Sequence, residues 1–105
     1  MKPGDYVNLH LIDPVERLWG RLHRLDPAGV TFRGFDVRGV ETFKYQFGKD
    51  DQRVVPQTCF YPMRRVLKID LDEPIGEVPS VIEAISAAAG RPPEQIIALP
   101  EDTLP

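Results

Sequence analysis

Four arginines, a tryptophan and a histidine lie around one predicted turn in the segment RLWGRLHRLDPAGVTFRG, residues 17–34. If Leu18 and Leu22 face inward on an alternating strand, the outward row comprises Arg17, Trp19, Arg21 and His23, joined on the next strand by Arg33 and Phe35. Single-stranded nucleic acid is one ligand for such a row, since bases stack on aromatic rings and guanidinium groups neutralise phosphates. A subunit or partner interface is another, because tryptophan and arginine are enriched at binding hot spots.

A third interpretation of this row is that the C-terminal segment of the same chain covers Trp19. Residues 1–69 carry 12 Lys and Arg against 8 Asp and Glu, a balance of +4, and residues 70–105 carry Arg91 against 8 acids, a balance of −7. These sum to the net charge of −3. The acidic tail favours this third interpretation, because an apolar helix stripe within it needs a surface on which to be buried.

No residue pattern predicts catalysis, a cofactor or a metal site. The sequence has no phosphate-binding glycine loop and no Ser-His-Asp arrangement. His10 and His23 are too few for a metal site, and Cys59 is expected to be a buried, inert thiol. The acids at positions 70, 72 and 73 are interpreted as solvated charges. We therefore expect a protein that is not an enzyme.

The length of 105 residues predicts one compact unit. A single cysteine excludes an intrachain disulfide and fits a reducing compartment. No stretch approaches the roughly 20 apolar residues of a membrane span, and the N-terminus does not look like a signal peptide. A cytoplasmic location without a membrane partner is the expectation.

Period-two alternation predicts five strands separated by turns, an arrangement typical of a small antiparallel barrel. The strands are predicted in YVNLHLI, RLWGRLHRL, VTFRGF, VETFKYQF and VLKIDL. In the fourth of them Phe43, Tyr45 and Phe47 would share a face. Gly20 and Gly34 interrupt strand patterns and are expected at a bulge or a sharp bend.

The pattern changes after Pro74. Ser80 and Glu83 have the spacing of a capping box, apolar residues then recur at helical spacing, and Gly90 is placed to end the helix. A further helical turn is expected over residues 94–98. We therefore predict a barrel over residues 1–73 and, over residues 74–105, an acidic C-terminal helix and proline-rich tail packed on it.

The segment from Trp19 to Asp26 resembles the first motif of the Sm-like family of SH3-like small β-barrels, which includes the eukaryotic Sm proteins and bacterial Hfq. Trp19, Gly20, Leu22 and Asp26 fall at that motif's spacing. The closing segment CFYPMRRVLKIDLDE looks like the last strand pair of such barrels. The resemblance covers roughly residues 5–72 and implies a five-stranded antiparallel Sm-like/SH3-like barrel, here with a C-terminal α-helix.

Two departures from the family bear on function. Val30 stands where RNA-binding members have an asparagine that contacts uracil, and the segment PMRRV lacks the glycine of the family's Arg-Gly pair. The resemblance implies that Arg64 and Arg65 lie near the pore of a ring, and pairing with Asp70, Asp72 or the tail is the alternative. Uridine specificity is not expected to carry over.

Two functions follow from these expectations. The first is a non-catalytic module that self-associates through barrel edge strands or binds a protein partner. The second is an RNA-binding Sm-like protein that uses an arginine and aromatic face without a uridine pocket. The candidate face in both cases consists of Arg17, Trp19, Arg21, Arg33, Arg64 and Arg65.

Overall fold

The alternating segments of the chain form one antiparallel sheet of five strands. A computed structural model describes residues 1–100. The strands are β1 (Tyr6–Leu11), β2 (Glu16–Asp26), β3 (Gly29–Asp36), β4 (Gln57–Pro62) and β5 (Val66–Leu71), in the spatial order β4-β3-β2-β1-β5. Residues 1–100 also form two α-helices, α1 (Val40–Tyr45) and α2 (Val81–Ala89), and short 3-10 helices at Val37–Gly39, Met63–Arg65 and Pro93–Gln95.

The predicted mainly-β antiparallel class is confirmed, whereas closure of the sheet is not. Strands β4 and β5 are the two edges, and within residues 1–100 the sheet does not close through a pairing between them. A barrel therefore stays a prediction. Residues 101–105, the end of the predicted tail, lie outside the described residues.

The predicted strand VETFKYQF is wrong, because residues 40–45 form helix α1 and the fourth strand lies at Gln57–Pro62. Val40, Phe43 and Phe47 also recur at the three- and four-residue spacing of a helix face. Phe43 is buried, Val40 and Phe47 pack beside it, and Tyr45 is exposed. Alternation and helical spacing coincide in this segment, and contact with the rest of the core selects the helix.

The sheet has an apolar cluster on each face. The inner face carries Val7, Leu9, Leu11, Leu18, Leu22, Val30 and Phe32. On the outer face, Tyr6 and Trp19 pack against the helices and the segment that follows them, through Phe43, Ile82, Ile85, Ile96 and Ile97. The helical layer thus covers part of the outer face, and the central strands β1 and β2 are buried on both sides at Tyr6 and Val7 and at Leu18 and Trp19.

Gly20 and Gly34 face each other across β2 and β3. A Cβ atom on Gly20 would lie 2.2 Å from the carbonyl oxygen of Arg33 and 2.6 Å from the Cα of Gly34. Only glycine permits this close approach of the two backbones. The register shift between β2 and β3 lies nearby, between Leu22 and Arg24.

Helix α2 begins and ends where the capping pattern predicts. The Ser80 hydroxyl accepts from the Glu83 N–H, the Glu83 side chain accepts from the Ser80 N–H, and Gly90 ends the helix in a left-handed conformation. The Asp72 carboxylate also accepts from Val81 N–H at 2.9 Å and from Ile82 N–H at 2.8 Å. Strand β5 therefore connects directly to the start of α2 through Asp72. None of the helices described here has the length and apolarity to cross a membrane.

Candidate functional site: the sheet edges and a cleft beside β5

Trp19 is completely buried, with 0% of its surface exposed. Its ring stacks on Tyr6, with centroids 5.2 Å apart, and its indole N–H donates to Asp72 Oδ2 at 3.0 Å. Trp19 thus lies on the outer face, as the alternation predicts, but it is covered there and not exposed. Of the three interpretations of Trp19, the structure shows the one in which the C-terminal segment covers it, because Ile82, Ile85, Ile96 and Ile97 belong to the same cluster.

Arg21 and Arg33 are half-buried and hydrogen-bonded within the chain. Arg21 donates to the carbonyl of Gly4 at 3.0 Å and to that of Ile97 at 2.7 Å, and its guanidinium lies 5.3 Å from the centroid of the Tyr6 ring. Arg33 donates to the Thr58 hydroxyl at 3.0 Å. Arg21 thus joins the N-terminal segment to the C-terminal one.

Arg64 and Arg65 lie in the 3-10 helix between β4 and β5, not in an extended segment. Arg65 donates to the carbonyls of Ile12 and Pro14 and to the Glu16 carboxylate, the last at 2.8 Å. Its partner is therefore Glu16 and not Asp70, Asp72 or the tail. Arg64 is exposed.

The structure does not bring the six predicted residues together. Trp19 is buried, Arg21, Arg33 and Arg65 are engaged in intrachain hydrogen bonds, and Arg64 lies beyond the end of β4. Arg17 lines a cleft beside β5, and within residues 1–100 its side chain has no hydrogen bond or ion pair.

Strand β4 is an uncharged edge with an exposed aromatic ring. Its residues QTCFYP carry no charge, Pro56 and Pro62 bound the free stretch, and Phe60 keeps 53% of its surface exposed. The backbone groups of an edge strand that point away from its one neighbour have no partner within the sheet. Natural edges are usually protected by charge, by proline or by a bulge; β4 has no charge and no bulge, and its proline, Pro62, stands at its last position.

Strand β5 is the opposite edge and exposes aliphatic side chains. Leu67 is 63% exposed, and Leu71 is also exposed. Lys68 and Asp70 lie on the outer face, because they pair with His10 and Asn8 of β1, which alternate with buried inner-face residues. A lysine such as Lys68 on an edge strand is a common protection against pairing with another chain. Strand β5 is therefore the better protected of the two edges.

A cleft of about 540 Å³ lies on the outer face beside β5, and we call it the outer cleft. Its lining comprises Asn8, His10, Arg17, Ile69, Asp70, Leu71, Asp72, Glu73, Ile75 and Val81. His10 Nε2 lies 2.9 Å from Asp70 Oδ2, and Lys68 Nζ lies 3.6 Å from the same atom. Ile75, on the turn before α2, is 78% exposed.

The turn that carries Ile75 is ordered by its own backbone. Ile75 and Val78 exchange two hydrogen bonds of 3.0 Å, and Gly76 adopts a positive φ of 61°. Prolines at positions 74 and 79 flank it. This turn and the multiple contacts of Asp72 were not predicted from the sequence, although the exposed Ile-Gly-Glu-Val between two prolines was an available signal.

Cys59 and Tyr61 are neighbours on the inner face of β4. Burial, with the adjacent Cys59 thiol and the Glu16 carboxylate, raises the pKa of Tyr61 to about 12, and the positive charge of Arg65 opposes that rise. Cys59 is half-buried and free. A hydroxyl held neutral in this way is a hydrogen-bond donor and not a general base at neutral pH.

Over residues 1–100, no three His, Cys, Asp or Glu side chains are grouped closely enough to hold a metal ion. The described surface offers unpaired edge backbone, exposed apolar side chains and arginines that line open clefts. Comparison of the chain with protein-family models, with curated proteins and with solved structures found no match.

Proposed function

We propose that this chain is a non-catalytic Sm-like small barrel that assembles with copies of itself, the β4 edge of one copy pairing with the β5 edge of the next. The observation that carries the proposal is the presence of two open sheet edges, of which β4 has no charged residue. An edge of this kind is a template for another strand.

The side chains of the two edges support pairing on the same faces. Register with β3 places Cys59 and Tyr61 beside the inner-face residues Phe32 and Val30. On β5, Ile69 and Leu71 pair with the inner-face residues Leu9 and Val7. An antiparallel β4–β5 junction would continue the inner apolar cluster from one copy into the next, and the exposed surface of Leu67 and Leu71 would be covered.

RNA binding is the second candidate, and fewer observations support it. The arginines of the predicted face are dispersed, and the tryptophan that would stack on a base is buried. Phosphate contacts would make affinity fall steeply as salt rises. Binding of a single-stranded RNA that is lost with Arg64→Glu and Arg65→Glu, and weakens with salt, would favour this second function over the first.

The test of self-assembly is the mass of the full-length protein in solution, measured by light scattering after size exclusion over a range of concentrations. We expect a multiple of the 11.9 kDa chain mass. Leu67→Glu, which places a carboxylate on the β5 edge, should return the protein to 11.9 kDa. The matched control is Val15→Glu, since Val15 is 79% exposed and lies on the β1–β2 turn, outside both edge strands. A wild-type protein that stays monomeric at every concentration contradicts the proposal.

A further inference from the structure

We infer that Phe60 of one copy anchors the proposed assembly by occupying the outer cleft beside β5 of the next copy. This inference rests on the proposed function and names the contact that directs the β4 edge of one copy to the β5 edge of the next. The outer cleft, of about 540 Å³, borders the β5 edge. Phe60 is the exposed aromatic residue of β4.

Strand register places the ring and the cleft on the same side of the sheet. Phe60 pairs with Thr31, which lies between the inner-face residues Val30 and Phe32, so Phe60 projects to the outer face. In the single chain the ring packs over Gly29 of its own β3, where a Cβ would lie 2.7 Å from Cζ of Phe60, so the proposed contact requires the ring to rotate about its Cα–Cβ bond towards the free edge. An antiparallel junction that keeps Cys59 and Tyr61 on the inner face must direct Phe60 to the outer face of β5.

The outer face of β5 at this point is the rim of the cleft. Lys68 and Asp70 are its outward residues, and Asp70, His10 and Asn8 line the cleft behind them. A Phe60 ring that lies opposite Lys68 or Asp70 is within reach of the cleft, since diagonal neighbours in a sheet are about 7–8 Å apart.

The cleft has the chemistry that an aromatic ring requires. Ile75 and Val81 provide aliphatic surface, and Ile75 is largely exposed in the single chain. Arg17 provides a guanidinium without an ion pair or hydrogen bond within residues 1–100. The electron-rich face of a phenyl ring attracts such a cation, so charge and apolar surface on the two sides are complementary. Strand β4 adds no charge that would oppose the ion pairs of Asp70.

A second copy of this chain is the occupant that the geometry favours. Phe60 and the outer cleft lie at opposite edges of one sheet. One copy therefore cannot fill its own cleft, and the contact is head-to-tail, which closes into a ring or extends into a filament. The β4–β5 pairing that provides hydrogen-bond partners for the edge backbone also brings the Phe60 ring to the outer cleft.

The experiment compares self-association of full-length variants by sedimentation velocity. Phe60→Ala removes the ring, and Leu25→Ala is its control, because Leu25 is an exposed apolar residue at the far end of β2. Ile75→Asp introduces a carboxylate beside Arg17 in the cleft, and Val78→Asp is its control on the same turn, outside the cleft lining. We expect Phe60→Ala and Ile75→Asp each to raise the dissociation constant roughly tenfold or more, as hot-spot truncation does, and the controls to assemble like the wild type.

Mixing the two defective variants tests the head-to-tail arrangement. The Ile75→Asp copy retains Phe60 and the Phe60→Ala copy retains an intact cleft, so an equimolar mixture should form a two-subunit species that neither variant forms alone at that concentration. A wild type that never assembles would overturn the proposed function. A wild type that assembles while Phe60→Ala does so equally well would overturn only this inference, and so would a mixture without the two-subunit species.

Discussion

Replacing Asp72 with alanine removes one carboxylate that connects three parts of the fold. Its oxygens accept from the Trp19 indole N–H at 3.0 Å, from Val81 N–H at 2.9 Å and from Ile82 N–H at 2.8 Å. The first donor belongs to β2 and the other two begin helix α2. Asp72→Ala is therefore expected to weaken the attachment of α2 to the outer face of the sheet.

The expected loss in the free energy of unfolding depends on whether each of the three donors finds another acceptor. Trp19 is fully buried, so its N–H is left without an acceptor in a dry environment, at a cost of roughly 1–3 kcal/mol. The two helix N–H groups lie at the partly buried start of α2, and losing their shared acceptor resembles the loss of an N-cap, about 1 kcal/mol. The sum is a loss of roughly 2–4 kcal/mol, a large part of the approximately 5–15 kcal/mol by which a domain is stable.

The assay is urea unfolding of the full-length protein followed by Trp19 fluorescence, which reports the outer-face cluster directly. Asp70→Ala is the matched control, because Asp70 lies two residues earlier and makes partly exposed contacts, a hydrogen bond with His10 and an ion pair with Lys68. Pairs of that kind contribute at most about 1 kcal/mol. An Asp72→Ala protein within about 0.5 kcal/mol of the wild type, a range typical of neutral surface changes, would refute the role assigned to this carboxylate.

Two further predictions concern the end of the sheet near Tyr61. Arg65→Ala should lower the free energy of unfolding by roughly 1–3 kcal/mol, since the carbonyls of Ile12 and Pro14 and the Glu16 carboxylate lose their donor. Arg64→Ala, at an exposed neighbour, should leave the free energy of unfolding nearly unchanged in the same denaturation experiment. Equal effects of the two substitutions would contradict the role given to Arg65. Because burial raises the pKa of Tyr61 from 10.0 to about 12, the folded state holds this proton more tightly, and the stability present below pH 10 should fall as the pH rises towards 12. The fall should be less steep in Tyr61→Phe, as unfolding measured across this range would show, and identical slopes would argue against the raised pKa.

Local patterns were sufficient for much of the secondary structure. Alternation located β1, β2, β3 and β5, because each has an inner-face series that must be apolar to be buried. The serine and glutamate three residues apart located α2, because a capping box satisfies N–H groups within one turn and needs no distant partner. The strand prediction failed at residues 40–45, where the apolar residues fit the period of a strand and that of a helix. Packing of Phe43 beside Trp19 selected the helix.

The candidate site was less accessible to sequence reasoning. The row from Arg17 to Arg33 contains the right residue types, but their outward direction on a strand does not reveal what covers them. Trp19 is buried because α2 and Ile97 lie over it, and Arg21 is held by the carbonyl of Ile97, 76 residues away. Asp72 was interpreted as a solvated charge because neither of its partners, an indole on β2 and a helix start, is recognisable from its neighbours in sequence.

The sequence by itself determined that the segments of β1, β2, β3 and β5 extend, where helix α2 begins and ends, and that the chain divides into a mildly basic first part and an acidic tail. These properties depend on contacts within a few residues, or on a sum over residues. Only the tertiary structure decided that the outer face is covered at Trp19 and open beside β5, and that β4 and β5 are left as free edges. Those outcomes depend on contacts between segments tens of residues apart, and local patterning does not specify which segments meet.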